Sequence, residues 1–280
     1  MKTLKSLLLF FCLFYLTESP VKAQFTLNVA TYNLRLNLAS DSLNAWPLRK
    51  EFVKELIRFH ELDLFGTQEG FYEMIQNLLE LKDYDYVGVG RDDGVRAGEH
   101  SAIFYRKSRF ELLDSGNFWF SQTPSEPSYG WEAKYRRVCS WAKLKDLLSG
   151  KTFYCFCSHF DHQAVVARRE SAKLLLENIR KIAGDSPVFC MGDFNSRPKD
   201  EPVQMIRGQL KDSREISEIT PYGPEATFNG FNWNMIPESR IDYIFIKGNI
   251  QVLKYGVLTD SKDKRYPSDH FPVLIRALIP

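Results

Sequence analysis

The sequence predicts an α+β fold arranged as a layered sandwich, and three observations carry that expectation. Short strand-like runs recur along the chain, several of them apolar on both faces. Helical patterns are few and apolar on one side only. No Pro/Gly/Ser-rich linker and no repeat of solenoid length divides residues 24–280, which are expected to form a single domain. A strand apolar on both faces must lie between layers, so sheets packed on each other with helices outside follow.

The elements can be placed in order. Strands are expected at 27–33, 62–67, 84–89, 101–105, 138–144, 152–158, 188–191, 241–246 and 271–278. A helix over 47–59 opens with Pro47, tolerated in a first turn, and presents Leu48, Phe52, Val53 and Leu56 on one side. A second over 71–81 repeats the pattern with Met74, Ile75, Leu78 and Leu79. The clearest runs over 163–183, where Ala172, Leu175, Leu176, Ile179, Ile182 and Ala183 recur at helical spacing and Gly184 supplies a stop.

The 280 residues begin with Lys2 and Lys5, an apolar run from Leu7 to Leu16, and Val21-Lys22-Ala23. That is the pattern of a secretory signal peptide over 1–23, and it predicts a secreted or periplasmic protein. The apolar run is about half the roughly 20 residues that span a bilayer, and no later stretch is long and uncharged enough. Cys12 follows Phe10 and Phe11 rather than the small residues of a lipoprotein cleavage site, so a lipid anchor is not expected. A monomer without stable membrane insertion is the expectation.

The leader holds three basic residues and one acidic, so its removal takes the formal net charge from +2 to zero. Sequence-independent binding to a long polyanion needs an excess of cations, so a histone-like coat role is excluded. With 44% hydrophobic and 26% charged residues the composition is that of a globular protein. Cys139, Cys155, Cys157 and Cys190 read as buried free thiols: Cys155 and Cys157 share a strand face, Cys190 sits in another apolar strand, and no Cys-x-x-Cys pair suggests zinc.

Polar residues gather where the apolar strands stop. Asp242 shares a strand face with Ile244 and Ile246, a costly position for an unpaired carboxylate. Met191-Gly192-Asp193-Phe194-Asn195 ends another strand, with glycine beside an acid where a ligand could approach closely. Tyr32-Asn33, Thr67-Gln68-Glu69, Ser158-His159 and Ser268-Asp269-His270 repeat the theme. If these ends converge, Glu69, Asp193, Asp242 and Asp269 form one partly desolvated set whose repulsion a cation would offset. Carboxylate and amide oxygens select hard ions such as Mg²⁺ or Mn²⁺, and two histidines nearby suit phosphoryl transfer to water. The competing role for each acid alone is a helix cap or an arginine partner.

Thr31-Tyr32-Asn33-Leu34-Arg35, Gln68-Glu69, Ser158-His159-Phe160-Asp161-His162, Gly192-Asp193-Phe194-Asn195, Ser239-Arg240-Ile241-Asp242-Tyr243 and Ser268-Asp269-His270-Phe271 together resemble the endonuclease/exonuclease/phosphatase superfamily, in its exported bacterial branch. The resemblance implies a deoxyribonuclease I-like four-layer α/β/β/α sandwich of two mixed sheets. It implies a metal-dependent hydrolase in which water attacks the phosphorus of a phosphomonoester or phosphodiester. Carried over position by position, Glu69 would hold Mg²⁺ or Mn²⁺ directly, and Asn33 and Asp269 would complete the metal site partly through water. Asp193 would orient or deprotonate the attacking water, Asn195 would hold a phosphate oxygen, and His159 and His270 would contact the scissile phosphate, with Asp242 orienting His270. Ser158 stands where relatives often have threonine, which keeps the hydroxyl.

Other residues receive structural readings first. Arg168 faces the packing side of its helix, as ion-pair partner or substrate contact; Asp161 and His162 read as supporting residues; Glu99 and His100 as members of a structural network, with substrate contact as the alternative; Trp119, Trp131 and Trp141 as core or rim aromatics. Arg91, Arg96, Lys134, Arg136, Arg137, Lys262, Lys264 and Arg265 fall in expected loops and could rim the site, with solvated surface as the default for each. The favoured substrate is a phosphorylated small molecule or single-stranded nucleic acid. A sphingomyelinase-like lipid phosphodiesterase and a non-catalytic binding protein on the same fold are the alternatives.

Overall fold

The computed structural model describes residues 25–280, so the signal peptide expected over 1–23 lies outside the described residues. Among these, the elements run β1 (Thr26–Asn33), α1 (Trp46–Phe59), β2 (Leu64–Gly70), α2 (Tyr72–Leu78), β3 (Tyr84–Val87), β4 (His100–Arg106), β5 (Phe110–Trp119), β6 (Val138–Asp146), β7 (Thr152–His159), α3 (Val165–Ala183), β8 (Val188–Asp193), α4 (Glu201–Arg207), β9 (Lys211–Asp212), β10 (Asp242–Lys247), β11 (Gln251–Val257) and β12 (Val273–Leu278). Two six-stranded sheets result, ordered β11-β12-β1-β2-β4-β3 and β5-β6-β7-β8-β10-β9. Each is mixed: β1 and β2 run parallel, as do β7 and β8, and the other pairings are antiparallel.

Three apolar clusters match the three contacts between four layers. The period of two along each strand sends alternate residues to opposite faces. Val29, Leu64, Cys155, Cys157, Phe189, Met191, Ile244 and Ile246 meet between the sheets. On the outer face of the first sheet, Ala30, Tyr32, Phe65 and Phe104 pack against Val53, Leu56 and Ile57 of α1 and Met74, Ile75 and Leu78 of α2. On the outer face of the second, Phe156, Cys190, Tyr243 and Phe245 pack against Leu175, Leu176 and Ile179 of α3 and Val203 and Ile206 of α4. The sandwich expected from the strand patterns is the observed one. All four cysteines among the described residues are buried free thiols, Cys155 and Cys157 in the central layer and Cys139 and Cys190 in the outer one.

Among the strands and α-helices of the described residues, four went unseen in the sequence. Strands β5, β9 and β11 each lie at a sheet edge, and α4 has only seven residues. An edge strand can leave much of its length in water, so no apolar pattern marks it: β5 exposes Glu111 to Ser115 in the middle of its span. Boundaries moved by a few residues. The third helix starts at Val165 rather than 163, because Asp161 Oδ1 accepts from the amides of Gln163 and Ala164 at 2.9 and 2.7 Å and holds the preceding turn.

Candidate active site

The alternation that fills the central layer also builds the site. On β8 the inward series Phe189, Met191 continues to Asp193; on β10, Ile246 and Ile244 continue to Asp242; on β7, Cys155 and Cys157 continue to His159; on β1, Val29 and Thr31 continue to Asn33. Register brings the ends level, with Asp193 opposite both Asp242 and His159. Polar side chains therefore replace apolar ones where the crevice between the two sheets opens to solvent. A pocket of about 840 Å³ there is lined by Glu69, His159, Asp193, Asn195, Asp269 and His270, with Arg35, Arg91, Glu99, Tyr135 and Arg137 among its other walls.

Backbone conformation is specialised at this rim. Arg35, Glu69 and Asn195 adopt φ of 55°, 62° and 46°, a left-handed region that non-glycine residues enter at a cost and keep where surrounding contacts enforce it. Gly192 has φ 153°, and a Cβ there would fall 2.0 Å from the carbonyl oxygen of Ser158. That close approach sets Asp193 beside His159.

Asn33 spaces two carboxylates. Its Nδ2 donates to Glu69 Oε1 and to Asp193 Oδ2, both at 3.0 Å, while its Oδ1 accepts from the amide of Arg35 at 2.9 Å. The second oxygen of Glu69 accepts from the Leu36 amide at 3.0 Å, and Asp193 Oδ1 accepts from the Asn195 amide at 2.8 Å. Asn195 Nδ2 donates to the Phe160 carbonyl at 3.0 Å, so one of its two amide hydrogens is engaged. Glu69, His159 and Asp193 can each offer a ligand atom with all of these within 4.8 Å of one another. Asp269 lies 3.8 Å from the Arg35 guanidinium. The carboxylates of Glu69, Asp193 and Asp269, gathered with the Asn33 amide on one side of the pocket, form an oxygen donor set that fits a hard divalent ion.

The two histidines differ in charge. His270 Nδ1 sits 2.9 Å from Asp242 Oδ2. Burial alone would strip its proton, but the Asp242 carboxylate outweighs burial and raises the imidazole well above its ordinary range, so His270 is an imidazolium at neutral pH. Its Nε2 is 3.9 Å from Asp193 Oδ2. Burial, joined by the Arg137 guanidinium, holds His159 well below the ordinary histidine range and keeps it neutral, with Nε2 3.7 Å from the same oxygen. Burial and the neighbouring Asp242 carboxylate push Asp193 up to about 7, the range in which a carboxyl can exchange protons with water at physiological pH. Burial likewise raises Asp269.

All eight residues singled out at strand ends come together here. Several others were read differently in the sequence. Arg91 and Arg137, candidates for the rim with solvated surface as the default, are 9% and 4% exposed and line the pocket, and Glu99, read first as part of a structural network with substrate contact as the alternative, lies between them and faces His159 Nδ1 at 3.5 Å. Among the described residues Arg168 makes no ion pair; it donates to the Asp161 carbonyl at 3.0 Å. Sequence reasoning did not single out Thr227, whose Oγ1 accepts from the amides of Ile241 and Asp242, or Asn229, whose Nδ2 donates to the Ser268 carbonyl at 3.1 Å. Nor did it single out Arg49. Each is a lone polar residue in a loop or helix, and its only signal is that it turns out to be buried.

Two mixed sheets with their helices outside, and acids, amides and histidines at the mouth of the crevice between them, define the deoxyribonuclease I-like class. The profile of the Endonuclease/Exonuclease/phosphatase family matches residues 30–270, and the chain belongs to that family. A Bacteroides thetaiotaomicron endonuclease/exonuclease/phosphatase family protein superposes with a TM-score of 0.88 at 41% identity, over 92% of this chain and 99% of its own. A Bacteroides thetaiotaomicron mannosyl-6-phosphatase is also 41% identical, with a TM-score of 0.86 over 90% of this chain and 99% of its own. A protein of Acanthamoeba polyphaga mimivirus, L388, is 30% identical over 252 residues, 84% of this chain and 92% of its own. Members of this family hydrolyse phosphate esters and generally depend on divalent metal.

Proposed function

We propose that this protein is an exported phosphoesterase, dependent on Mg²⁺ or Mn²⁺, that hydrolyses a phosphate ester of a small molecule. The observation carrying the reading is the pairing around Asp193: a carboxyl poised near neutral pH, flanked by a cationic His270 and a neutral His159, and set across the crevice from Glu69 and Asp269. Glu69 and Asp269, with Asn33 beside them, would hold the ion, which when bound supplies charge neutralisation for the phosphoryl oxygens. Asp193 takes a proton from water as the water oxygen bonds to phosphorus; the bond from phosphorus to the alcohol oxygen breaks, the departing alkoxide takes a proton from solvent, and Asp193 returns its own to solvent. The His270 imidazolium, held by Asp242, offsets the negative charge gathering on the phosphoryl group, and Asn195 has a free amide hydrogen to direct at it.

Intact acids and histidines in working geometry favour an enzyme over a binding protein that merely kept the fold. The mannosyl-6-phosphatase, at 41% identity, supports a small phosphomonoester over nucleic acid or lipid. Export rests on the leader pattern of residues 1–23. The test is turnover by residues 24–280 of hexose phosphates, nucleotides, bis-p-nitrophenyl phosphate, short single-stranded DNA and sphingomyelin, with Mg²⁺ or Mn²⁺ and then with EDTA. Metal-dependent release of phosphate from a small monoester is expected; no turnover of any substrate would end the enzyme reading. Amino-terminal sequencing of the exported protein should begin at Gln24.

A further inference from the structure

The wall of the pocket beyond His159 carries polar atoms that the hydrolytic chemistry leaves unused. Arg91, Glu99 and Arg137 all line it, and the two arginines are at least nine-tenths buried. Arg91 spends Nη1 on Glu99 Oε2 at 2.7 Å, and its Nε has no hydrogen-bond partner. Arg137 has Nη2 3.0 Å from His162 Nδ1, but its Nε and Nη1 are unpartnered. Asp161 Oδ2 and His159 Nδ1 are unpartnered too. Asp161 stands behind the wall, and the contacts of Arg137 with Asp161 and Glu99 and of His159 with Glu99, at 3.5–3.9 Å, are too long for hydrogen bonds. Leaving buried groups so under-satisfied is costly and points to a ligand on which Arg91, Glu99 and Arg137 close. An adjoining cavity of about 10 Å³ between Arg91, Glu99, Arg137 and His159 has room for one water at most, which makes about three hydrogen bonds and cannot saturate all five atoms.

The charges say what kind of ligand this is. Two guanidiniums, Arg91 and Arg137, stand against two carboxylates, Glu99 and Asp161, at 2.7, 3.9 and 3.7 Å, so the charges of the wall balance. A second phosphate would need uncompensated cations, and an apolar alcohol would leave the wall unsatisfied. Fixed donors interleaved with fixed acceptors match hydroxyl groups, each of which both donates and accepts. Tyr135 braces the wall, with the Arg91 guanidinium 5.2 Å from its ring centroid and His162 stacked at 5.9 Å.

We propose that Arg91, Glu99 and Arg137 recognise the hydroxyl groups of the leaving alcohol, so that the substrate is a phosphate ester of a sugar or similar polyol, with its phosphoryl group between Asp193 and His270. This rests on the phosphoesterase reading above and adds the residues that select the substrate. Selection by buried polar groups discriminates strongly, because an analogue lacking the hydroxyls leaves them unpaired.

The experiment compares mannose 6-phosphate, n-hexyl phosphate and fructose 1,6-bisphosphate as substrates of the Mg²⁺-loaded wild type and of Arg91→Gln and Glu99→Gln, with melting curves to confirm folding. The wild type should prefer mannose 6-phosphate over hexyl phosphate by at least about tenfold in kcat/KM, and each variant should cut that ratio at least about tenfold. No preference in the wild type, an equal loss on both substrates in the variants, or a preference for the bisphosphate would each overturn the proposal. Calorimetric titration of the EDTA-treated protein with mannose 6-phosphate separates the two readings: if no ester turns over, the phosphoesterase reading fails alone, while binding that neither variant weakens overturns the hydroxyl wall.

Discussion

Arg49, in the first turns of α1, donates from Nη1 to the carbonyl of Pro267 at 3.1 Å, one residue before the Ser268-Asp269-His270 segment. The same guanidinium reaches the carbonyls of Leu34 and Arg35, just beyond the Asn33 end of β1. Ser268 Oγ in turn donates to the Asn33 carbonyl at 2.7 Å. One buried side chain thus fixes the spacing between two chain segments that supply neighbouring parts of the site, Asn33 from one and Asp269 and His270 from the other. Five donors in a rigid fork suit this task, and an ammonium does not.

Replacing Arg49 with lysine should therefore keep the charge and lose the clamp. Buried hydrogen bonds to charged groups contribute about 1.5–3 kcal/mol each, which for a chain of this size lowers the melting temperature by about 4–12 °C. Calorimetry of Arg49→Lys checks this, and an unchanged melting temperature would show that the carbonyls find other partners.

The Asp242–His270 pair makes a kinetic prediction with a sign. Removing the charge in Asp242→Asn takes away what raises His270 and part of what raises Asp193, so both fall. Activity that needs deprotonated Asp193 and protonated His270 has an acid limb set by the first and an alkaline limb set by the second. Both limbs of the kcat/KM profile should move to lower pH than in the wild type, and the maximum should drop by about a hundredfold or more. Limbs that stay in place would disconnect the pair from catalysis.

Linkage gives a stability prediction for the metal-free protein. His270 is raised in the fold, so its stabilising contribution is full below about 6.5, the unfolded value, and is lost as pH rises toward the folded value. In EDTA, the wild type should lose stability between pH 7 and 8.5, and His270→Gln should flatten that slope. Denaturant midpoints across the interval decide it; parallel slopes for both proteins would place the proton elsewhere.

Much of this site was legible because its chemistry sits at the ends of apolar strands. The alternation that announces Ile244 and Ile246 as core also makes Asp242 conspicuous, and Gly192 before Asp193 marks a close approach that the Ser158 carbonyl confirms. Strand β5 was not legible because Glu111 to Ser115 lie in water and need no apolar code, and β9 because it has only two residues; β11 was missed although Val252, Tyr255 and Val257 reach the core. Arg49 was missed, and Arg91 and Arg137 were given solvated surface as their default, for a related reason: an arginine is on average a surface residue, and only tertiary packing sinks these three. Their partners are carbonyls and acids distant in sequence, such as Pro267 for Arg49, and no local spacing encodes them.

Gly192→Ala tests the close approach directly. A Cβ 2.0 Å from the Ser158 carbonyl oxygen, at φ 153°, cannot be accommodated without separating β8 from β7. A loss of about 3 kcal/mol or more is expected, in the upper range for single substitutions. Solvent exchange of the amides of β7 and β8 should accelerate together; an alanine variant as stable as the wild type would show that the two strands can slide.

Glu69 decides the metal assignment. Its Oε1 is held by Asn33 and its Oε2 by the Leu36 amide, so its carboxylate is fixed before any ion arrives, at a backbone φ of 62° that would not persist without such restraint. Glu69→Gln keeps the size of the side chain and removes the charge that a hard cation requires. The Mg²⁺ concentration giving half-maximal activity should rise at least about tenfold, the scale seen when groups around a metal are altered, while saturating Mg²⁺ restores part of the rate. Calorimetric titration of Mg²⁺ into the resting protein should show the same weakening without any substrate present. A variant that retained wild-type Mg²⁺ affinity would move the ion away from Glu69, toward the Asp193–Asp242–His270 cluster, whose ligand atoms also lie within 4.8 Å of one another.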